Sequence, residues 1–314
     1  MLRSIIQRVP NLYIGPKPKQ KKNGGIRFVF DTKSPLKPLL KRINTTFFRR
    51  TYFPQYLTGS LSGRDFVANV AIHKGSKIAI TEDIAQFFDC ITEHHVHRIW
   101  RELFHFSVEV ADVLTRLTTK DGRVFQGTPT SSYLANLAFW DFEPALVARL
   151  AVREIRYSRY VDDITLSSSG EFSELNKRWA IAQVYAMIGQ GGFKPQRVKH
   201  QVLPGRRPIT IMGLNANSSH SPTITRQERS RIRAQVFQLE RRFSTGDIGP
   251  DFRSALTQAS GKVGRLNRLH KNESAALRIR LDKMRIALDK LPISTGASPK
   301  PLFLVSGITS DPPF

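Results

Sequence analysis

The chain is organised around the stretch YSRYVDDITL, from Tyr157 to Leu166. Aromatic and β-branched residues on both sides of its centre favour extended backbone. The centre holds two adjacent acids, Asp162 and Asp163, at the point where a hairpin would turn. Neighbouring carboxylates repel each other, and the pair is tolerable only in open water or against a cation. Asp is also a common turn residue, so the pair by itself predicts either a polar turn or one part of a metal site.

Basic residues far exceed acidic ones, with 49 Lys and Arg against 25 Asp and Glu in 314 residues, a formal net charge of +24. Such an excess is most simply explained by a polyanionic partner, with an anionic membrane surface as the alternative. No apolar run is long enough to span a bilayer, and the first ten residues lack a signal-peptide core. A single cysteine, Cys90, excludes an internal disulfide and a Cys-based zinc site. We therefore expect a cytoplasmic, nucleic-acid-binding protein without membrane attachment.

A third acid, Asp83, ends the strand that the apolar run of residues 77–83 predicts, shortly before the aromatic pair Phe87 and Phe88. An acid at the end of a strand can project into a cleft as a metal ligand. It can equally cap the following helix. The residues alone leave both interpretations open.

Two further stretches have a structural and a functional interpretation. Asn23-Gly24-Gly25 predicts a hairpin turn, and the strand predicted after it carries Arg27. This is either a solvated basic loop before an edge strand, which the residues by themselves favour, or a finger-like hairpin whose Arg27 grips a triphosphate. Gln126-Gly127 is either a plain helix entry or backbone left free to meet a base pair, since glycine has no side chain in the way.

The rest of the chain is organised by helical spacing and turns. A loop-rich stretch, residues 59–77, holds His73, which is more typical of a structural hydrogen-bonder than of a catalyst. A turn over residues 191–200 leads into a basic strand, and residues 293–314 form a loose tail. The predicted helices cover residues 34–50, 92–118, 131–146, 173–188, 226–243 and 272–291.

Basic side chains are dense on the last two of these helices and on the stretch between them. A solvated face explains them, and so does a surface that follows a nucleic-acid duplex. The residues predicted to bind nucleic acid are Arg226, Arg229, Arg233, Arg265 and Arg268.

Taken in chain order, the blocks from Lys21 to Leu214 resemble those of bacterial reverse transcriptases of the retron and defence-associated lineage. Two blocks depart from the retron pattern. Asn69 to His73 stands where retron enzymes carry Asn-Ala-x-x-His, and Ile211-Met212-Gly213 stands where they carry Val-Thr-Gly. The matching blocks are Asp83-Ile84-x-x-Phe87-Phe88, residues 126–136, Tyr160-Val161-Asp162-Asp163, Gly192 to Lys199 and Met212-Gly213-Leu214.

The resemblance implies an α+β fold, a right-hand polymerase with fingers, a ferredoxin-like antiparallel palm sheet and a helical thumb. It places the N-terminal part of the fingers at residues 1–75 and the palm, with a fingers insertion, at 76–215. A basic helical thumb follows at 216–292, and a flexible tail at 293–314.

The implied activity is RNA-directed DNA synthesis on a structured non-coding RNA, by two-metal nucleotidyl transfer, in a bacterial anti-phage defence system. Two Mg²⁺ ions per active site are implied, with Mn²⁺ as a substitute. The implied partners are that RNA as template and primer, its cDNA product, deoxynucleotides and an effector protein encoded nearby.

The resemblance also assigns roles to single residues. Asp83 and Asp162 would hold the metals most directly and Asp163 would support them. Lys199 would protonate the leaving pyrophosphate, with Arg197 and His200 as alternatives. The nucleotide-binding set is Arg27 on the triphosphate, Phe88 as a steric gate against the ribose 2′ hydroxyl, and Gln126 with Gly127 against the incoming nucleotide.

Two other functions stay open at this point. A catalytically silent RNA-binding scaffold would need the basic helices but not the three acids. An intron-type reverse transcriptase and maturase would carry endonuclease cysteines, and the single cysteine argues against it.

Overall fold

The structure is a computed structural model that describes residues 2–20, 24–217 and 221–290. Asn23 of the predicted Asn23-Gly24-Gly25 turn and the predicted tail, residues 293–314, lie outside the described part. The chain divides into two compact units, Met1–Pro222 and Thr223–Phe314. The helices in the described part are α1 Leu2–Arg8, α2 Leu36–Thr46, α3 Phe66–Ile72, α4 Phe87–Cys90, α5 Glu93–Arg98, α6 Val108–Thr118, α7 Ser131–Leu137, α8 Glu143–Val152, α9 Glu174–Gln190, α10 Arg226–Ser244, α11 Phe252–Asn267 and α12 Lys271–Asp289.

The strands lie in the first unit and pair only antiparallel within their sheets. The central sheet has the order β4-β5-β3-β6, while β1 pairs with β2 and β7 with β8. Helices and antiparallel sheets in one chain make the α+β fold that was predicted. The strands are β1 Tyr13–Gln20, β2 Ile26–Thr32, β3 Ile78–Asp83, β4 Arg156–Tyr160, β5 Asp163–Ser168, β6 Gln201–Pro204, β7 Thr210–Ile211 and β8 Leu214–Asn215.

Strand β3 lies inside the central sheet and fixes the position of its last residue. It pairs with β5 along its whole length, from Ile78 opposite Ser168 to Asp83 opposite Asp163. On its other side β6 pairs only as far as Thr81. Beyond that point the Gln196 amide donates to the Asp83 carbonyl at 2.7 Å. Asp83 is therefore held by backbone bonds on both sides.

An aromatic core supports the helix that follows β3. Phe87 is buried and stacks on Phe139, with ring centroids 5.7 Å apart and planes 3° from parallel. Both rings tilt against Phe193, at 5.1 and 5.0 Å. Burial of Phe87 fixes α4 and leaves its neighbour Phe88 half-buried at the surface of this core.

The structure corrects three helix predictions in the first unit. Residues 66–72, predicted as loop, form α3, because the Asp65 carboxylate accepts from the first-turn amides of Val67 and Ala68. Residues 92–118 are not one helix: α5 passes into a π-helical turn and α6 restarts after the Ser107 cap. The predicted helix 131–146 likewise breaks, since Pro144 stands in the first turn of α8, where proline is tolerated.

The second unit is a bundle of three helices in its described part, where two were predicted. The apolar stripes predicted for α10 and α12 are buried, including Ile232, Val236 and Leu281. The additional helix, α11, carries Gly261 and Gly264, which lower helix propensity and hide it in the sequence. None of the described helices has the length and apolar character needed to cross a bilayer.

Candidate active site

The two adjacent acids lie at the tip of the β4–β5 hairpin. Strand β4 ends at Tyr160 and β5 begins at Asp163, so Val161 and Asp162 form the turn. Val161 has a backbone φ of +63°, an uncommon conformation for a β-branched residue. The Asp162 carbonyl accepts from the amide of Ile84, which directly follows β3. The hairpin thus carries both acids to the end of β3, where Asp83 is the cross-strand partner of Asp163.

The carboxyl groups influence one another. Partial desolvation, followed by the charges of Asp162 and Asp83, raises the pKa of Asp163 to about 7. Desolvation and the charge of Asp83 also raise the pKa of Asp162. Lys199 lies against this cluster, with its Nζ donating to Asp83 Oδ2 at 2.5 Å. The three acids therefore form one site of concentrated negative charge beside a single ammonium group.

The donor set fits a divalent cation in its chemistry, because carboxylate oxygens are the hard ligands that Mg²⁺ prefers. Its geometry is less complete. In the described ranges, no three His, Cys, Asp or Glu side chains converge as a metal site requires. The Lys199 ammonium forms an ion pair with Asp83 at this position.

A cavity of about 680 Å³ opens beside the turn. Residues predicted from separate blocks of the sequence share its wall, and Phe28, Gln86 and Gln196 join them without having been predicted. The predicted residues in the wall are Arg27, Asp83, Phe88, Gln126, Asp162 and Lys199. Phe28 lies next to Arg27 on the exposed part of β2, and the sequence marks it only as a strand residue.

The structure decides how Asp83 is used. Helix α4 begins after Gln86, whose backbone is left-handed with a φ of +48°, so Gln86 and not Asp83 is its N-cap residue. The Asp83 carboxylate instead accepts from Lys199 and faces the cavity. The interpretation of Asp83 as a helix cap is therefore wrong.

Gly127 is explained by the neighbouring hairpin. The Phe30 amide of β2 donates to the Gln126 carbonyl at 2.8 Å, which brings the two backbones together. Gly127 has a φ of +109°, and a Cβ there would overlap the Phe30 carbonyl oxygen. Gly127 is not among the residues of the cavity wall. The need for glycine thus comes from backbone packing, and nucleotide contact by Gly127 stays a prediction.

Around Glu82, the buried acid next to Asp83, Lys199 and its two alternatives, Arg197 and His200, have different partners. Glu82 is buried and accepts from His200 Nδ1 at 2.6 Å and from the Tyr185 hydroxyl at 3.1 Å. The guanidinium of Arg197 lies over the Tyr185 ring, 5.8 Å from its centroid. Of Arg197, Lys199 and His200, Lys199 is the one in the cavity wall. In the sequence, the adjacent acids Glu82 and Asp83 were a signal for this second, buried acid that binds His200 and Tyr185.

His73 has the structural role that was predicted. Its buried ring bridges Ser167 Oγ of β5 and Ser158 Oγ of β4, each at 2.7 Å. Burial lowers the pKa of His73 to about 3, so the ring is neutral near pH 7. Asn69 accepts from Thr58 at 2.6 Å on the same side of the hairpin. This block therefore packs against the strands that carry the acids.

The predicted nucleic-acid-binding arginines lie on α10 and near the end of α11. Arg229 and Arg233 share one acid, Glu273, with N–O distances of 2.8 and 2.5 Å. Arg229 and Arg268 line a second cavity, of about 480 Å³, at the start of α12. Arg226 is exposed at the first position of α10. The face is basic, but part of its charge is balanced within the bundle.

Comparison with known proteins gives the class and the family of this chain. Residues 17–216 match the family model for reverse transcriptase (RNA-dependent DNA polymerase). The chain is 31% identical over 293 residues to the retron Se72 reverse transcriptase of Salmonella heidelberg, covering 92% of this chain and 77% of that protein. It is 28% identical to the retron Ec48 reverse transcriptase of Escherichia coli, covering 79% and 63%.

The chain belongs to the reverse transcriptase family and is an RNA-directed DNA polymerase of the retron type. The right-hand polymerase fold that the resemblance predicted is the fold of this family, and the family generally uses divalent metal ions. Among solved structures, apo telomerase from Candida tropicalis aligns with 90% of this chain and 63% of its own, at 10% identity and a TM-score of 0.49.

Proposed function

We propose that this polymerase copies a structured non-coding RNA into DNA as part of a bacterial anti-phage defence system. The observation that carries the polymerase site is the cavity that holds Asp83, Asp162, Lys199, Arg27 and Gln126 in one wall. The two retron relatives support the choice of RNA. The partners proposed are the RNA as template and primer, its cDNA, deoxynucleotides and an effector protein encoded nearby. A cytoplasmic location stays a prediction.

The predicted site residues have distinct tasks in this proposal. Asp83, Asp162 and Asp163 would hold two Mg²⁺ ions, or Mn²⁺ as a substitute, which would neutralise charge on the attacking and leaving oxygens. Arg27 presents forked donors to the triphosphate. Gln126 contacts the incoming nucleotide, for which Gly127 is also retained as a proposed neighbour.

Lys199 is proposed as the proton donor to the leaving pyrophosphate. Desolvation acts to lower its pKa, but the hydrogen bond to Asp83 and the nearby carboxylates outweigh it, and the pKa is raised. Its ammonium is therefore charged at neutral pH, as a general acid must be before it reacts.

We retain the proposed division into fingers (1–75), palm with a fingers insertion (76–215), thumb (216–292) and tail (293–314). In this proposal the thumb binds the phosphate backbone of a duplex, because arginines present donors to phosphate oxygens without reading sequence. The arginines assigned to this surface are Arg226, Arg229, Arg233, Arg265 and Arg268.

The identity of the template can be tested by isolating the protein from cells that express its native locus and sequencing the bound nucleic acid. We expect one structured RNA to dominate, together with DNA complementary to part of it. A matched sample of the Asp162→Asn, Asp163→Asn variant should retain the RNA and lack the DNA. A mixture of cellular RNAs in proportion to their abundance would contradict the proposal.

Salt dependence tests the thumb surface. We expect log affinity for RNA to fall linearly with log salt, with a slope of about 0.7–0.9 per phosphate contact. Replacing Arg226 and Arg265 by Gln should reduce the slope by about 1.4–1.8, because two phosphate contacts are lost. Filter binding between low and physiological salt measures both slopes. The control is Arg253→Gln, which removes an arginine that pairs with Asp289. An equal loss of slope in this control would contradict the assignment of Arg226 and Arg265 to phosphate contacts.

A further inference from the structure

Every hydrogen-bond donor of Arg159, an arginine next to the Asp162–Asp163 turn, has an acceptor. Arg159 of β4 is fully buried, and so is its partner Glu143 at the start of α8. The pair is bidentate, with Arg159 Nε donating to Glu143 Oε1 at 2.7 Å and Nη2 to Oε2 at 2.8 Å. The Tyr157 hydroxyl donates to the same carboxylate at 2.7 Å. No charge in this pair is left uncompensated.

The remaining donors of Arg159 reach main-chain oxygens on two different elements. Nη1 donates to the Val161 carbonyl in the turn at 3.0 Å and to the Ala135 carbonyl at 3.4 Å. Nη2 donates to the Asn136 carbonyl at 2.8 Å. Ala135 and Asn136 lie near the end of α7, which the Gln126–Gly127 block precedes. The Arg159 guanidinium thus connects the turn that carries the acids to α7, the helix that follows Gln126 and Gly127.

The turn it contacts requires support. Val161 is β-branched and holds a left-handed backbone, a conformation that persists only where its surroundings impose it. Gly59 lies against it, and a Cβ on Gly59 would be 2.6 Å from the Val161 amide nitrogen. The Asn136 side chain donates to the Gly59 carbonyl at 2.8 Å. Val161 is therefore enclosed by Gly59 and tied by its carbonyl to Arg159.

Stability alone does not explain such a pair. A buried ion pair can often be replaced by apolar residues of similar size without loss of stability, because desolvation offsets the attraction of the charges. The directed bonds of a guanidinium, in contrast, fix where its partners lie. The bond to the Val161 carbonyl, one residue before Asp162, fixes the backbone from which the acid projects.

We propose that Arg159 and Glu143 are positioning residues that hold the Asp162–Asp163 turn in register with Asp83 and with the end of α7. Neither residue touches substrate: Arg159 acts through its bond to the Val161 carbonyl, and Glu143 acts by holding Arg159. The proposal rests on the proposed function of the three acids.

The test replaces the pair by apolar residues, Arg159→Met with Glu143→Leu, which leaves no buried charge unpaired. We expect a folded protein that binds RNA as tightly as the wild type. Its kcat for nucleotide addition should fall at least about tenfold, while KM for deoxynucleotide changes less than about threefold, because positioning acts on the reacting geometry. The Mg²⁺ concentration that gives half-maximal rate should rise. Arg159→Lys keeps the charge but cannot reach all five acceptors, so its kcat should lie between those of the wild type and the double variant.

The matched control is Arg156→Met, an arginine on the same strand that donates to the Ile72 and Lys74 carbonyls away from the turn. It should leave kcat and the Mg²⁺ dependence unchanged. A folded double variant with wild-type kcat would overturn the proposal. A loss of rate that only matches the loss of folded protein would overturn it too. If the double variant does not fold, the kcat and the Mg²⁺ dependence of Arg159→Lys are judged by the same criteria. Failure of the proposed function is distinguishable, since then the wild type itself makes no DNA or the Asp162→Asn, Asp163→Asn variant still does.

Discussion

Replacing Asp162 and Asp163 together by Asn is expected to abolish DNA synthesis while RNA binding survives. The two substitutions remove both carboxyl groups at the β4–β5 turn, opposite the end of β3, where Asp83 and Lys199 remain. Charge neutralisation dominates nucleotidyl transfer, so the loss should be at least about a thousandfold in kcat/KM. Primer extension on an RNA template with added Mg²⁺ measures the rate, and filter binding measures the RNA affinity.

The control removes the same amount of charge outside the cavity. Glu171→Gln with Glu174→Gln changes two exposed acids, one in the loop after β5 and one at the first position of α9, and should leave the rate within about twofold. Because the Asn side chains nearly match Asp in shape, the paired variants separate the effect of the site from that of net charge. DNA synthesis within about tenfold of wild type in the Asp variant would remove the hairpin from the active site.

The second large effect concerns the sugar of the incoming nucleotide. Phe88 is half-buried, lines the cavity and packs with its ring centroid 6.1 Å from that of Phe87. If this ring lies against C2′ of the ribose, Phe88→Val makes room for a hydroxyl. Ribonucleotide incorporation relative to deoxynucleotide should then rise about tenfold or more. The quantity to measure is the ratio of the two kcat/KM values on folded protein.

Phe28→Val is the matched control, because Phe28 is another aromatic residue of the same cavity wall. It should change KM more than the sugar ratio. If Phe88 is only a core residue, its truncation should cost about 3–5 kcal/mol of stability with no change in sugar preference. An unchanged ratio in a folded Phe88→Val variant would contradict the gate assignment and weaken the alignment of the Asp83 block.

The central hairpin and β3 could be predicted from sequence because their patterns are local. Alternating apolar residues indicate strands, and adjacent acids between two such runs indicate a turn with unusual charge. The cavity brings Arg27, Gln126 and Lys199 close to these acids, although 172 positions separate the first from the last of the three. The family resemblance predicted that these residues lie together. Periodicity could not predict this, since spacing along the chain does not report distance across a fold.

Other features needed three dimensions. The partner of Arg159 is Glu143, 16 residues away on another element, and no pattern in the sequence pairs them. The reason for glycine at position 127 is the carbonyl of Phe30, which lies on a separate hairpin. Helix α11 was missed because its glycines and small polar residues depress local propensity, and packing of Phe252, Leu256 and Val263 overrides that deficit.

The junction between β2 and the Gln126–Gly127 segment has a consequence for how the enzyme can evolve. It is built from main-chain atoms, the Phe30 amide and carbonyl, so side-chain substitutions leave it intact except at Gly127 itself. Ile26, Arg27 and Phe28 stand on the strand that this junction anchors, and all three are exposed in the cavity wall. Mutation can therefore exchange these side chains without displacing the strand. We expect descendants of this enzyme to diverge in nucleotide selectivity and in sensitivity to nucleoside inhibitors along this edge, while the acids opposite stay invariant.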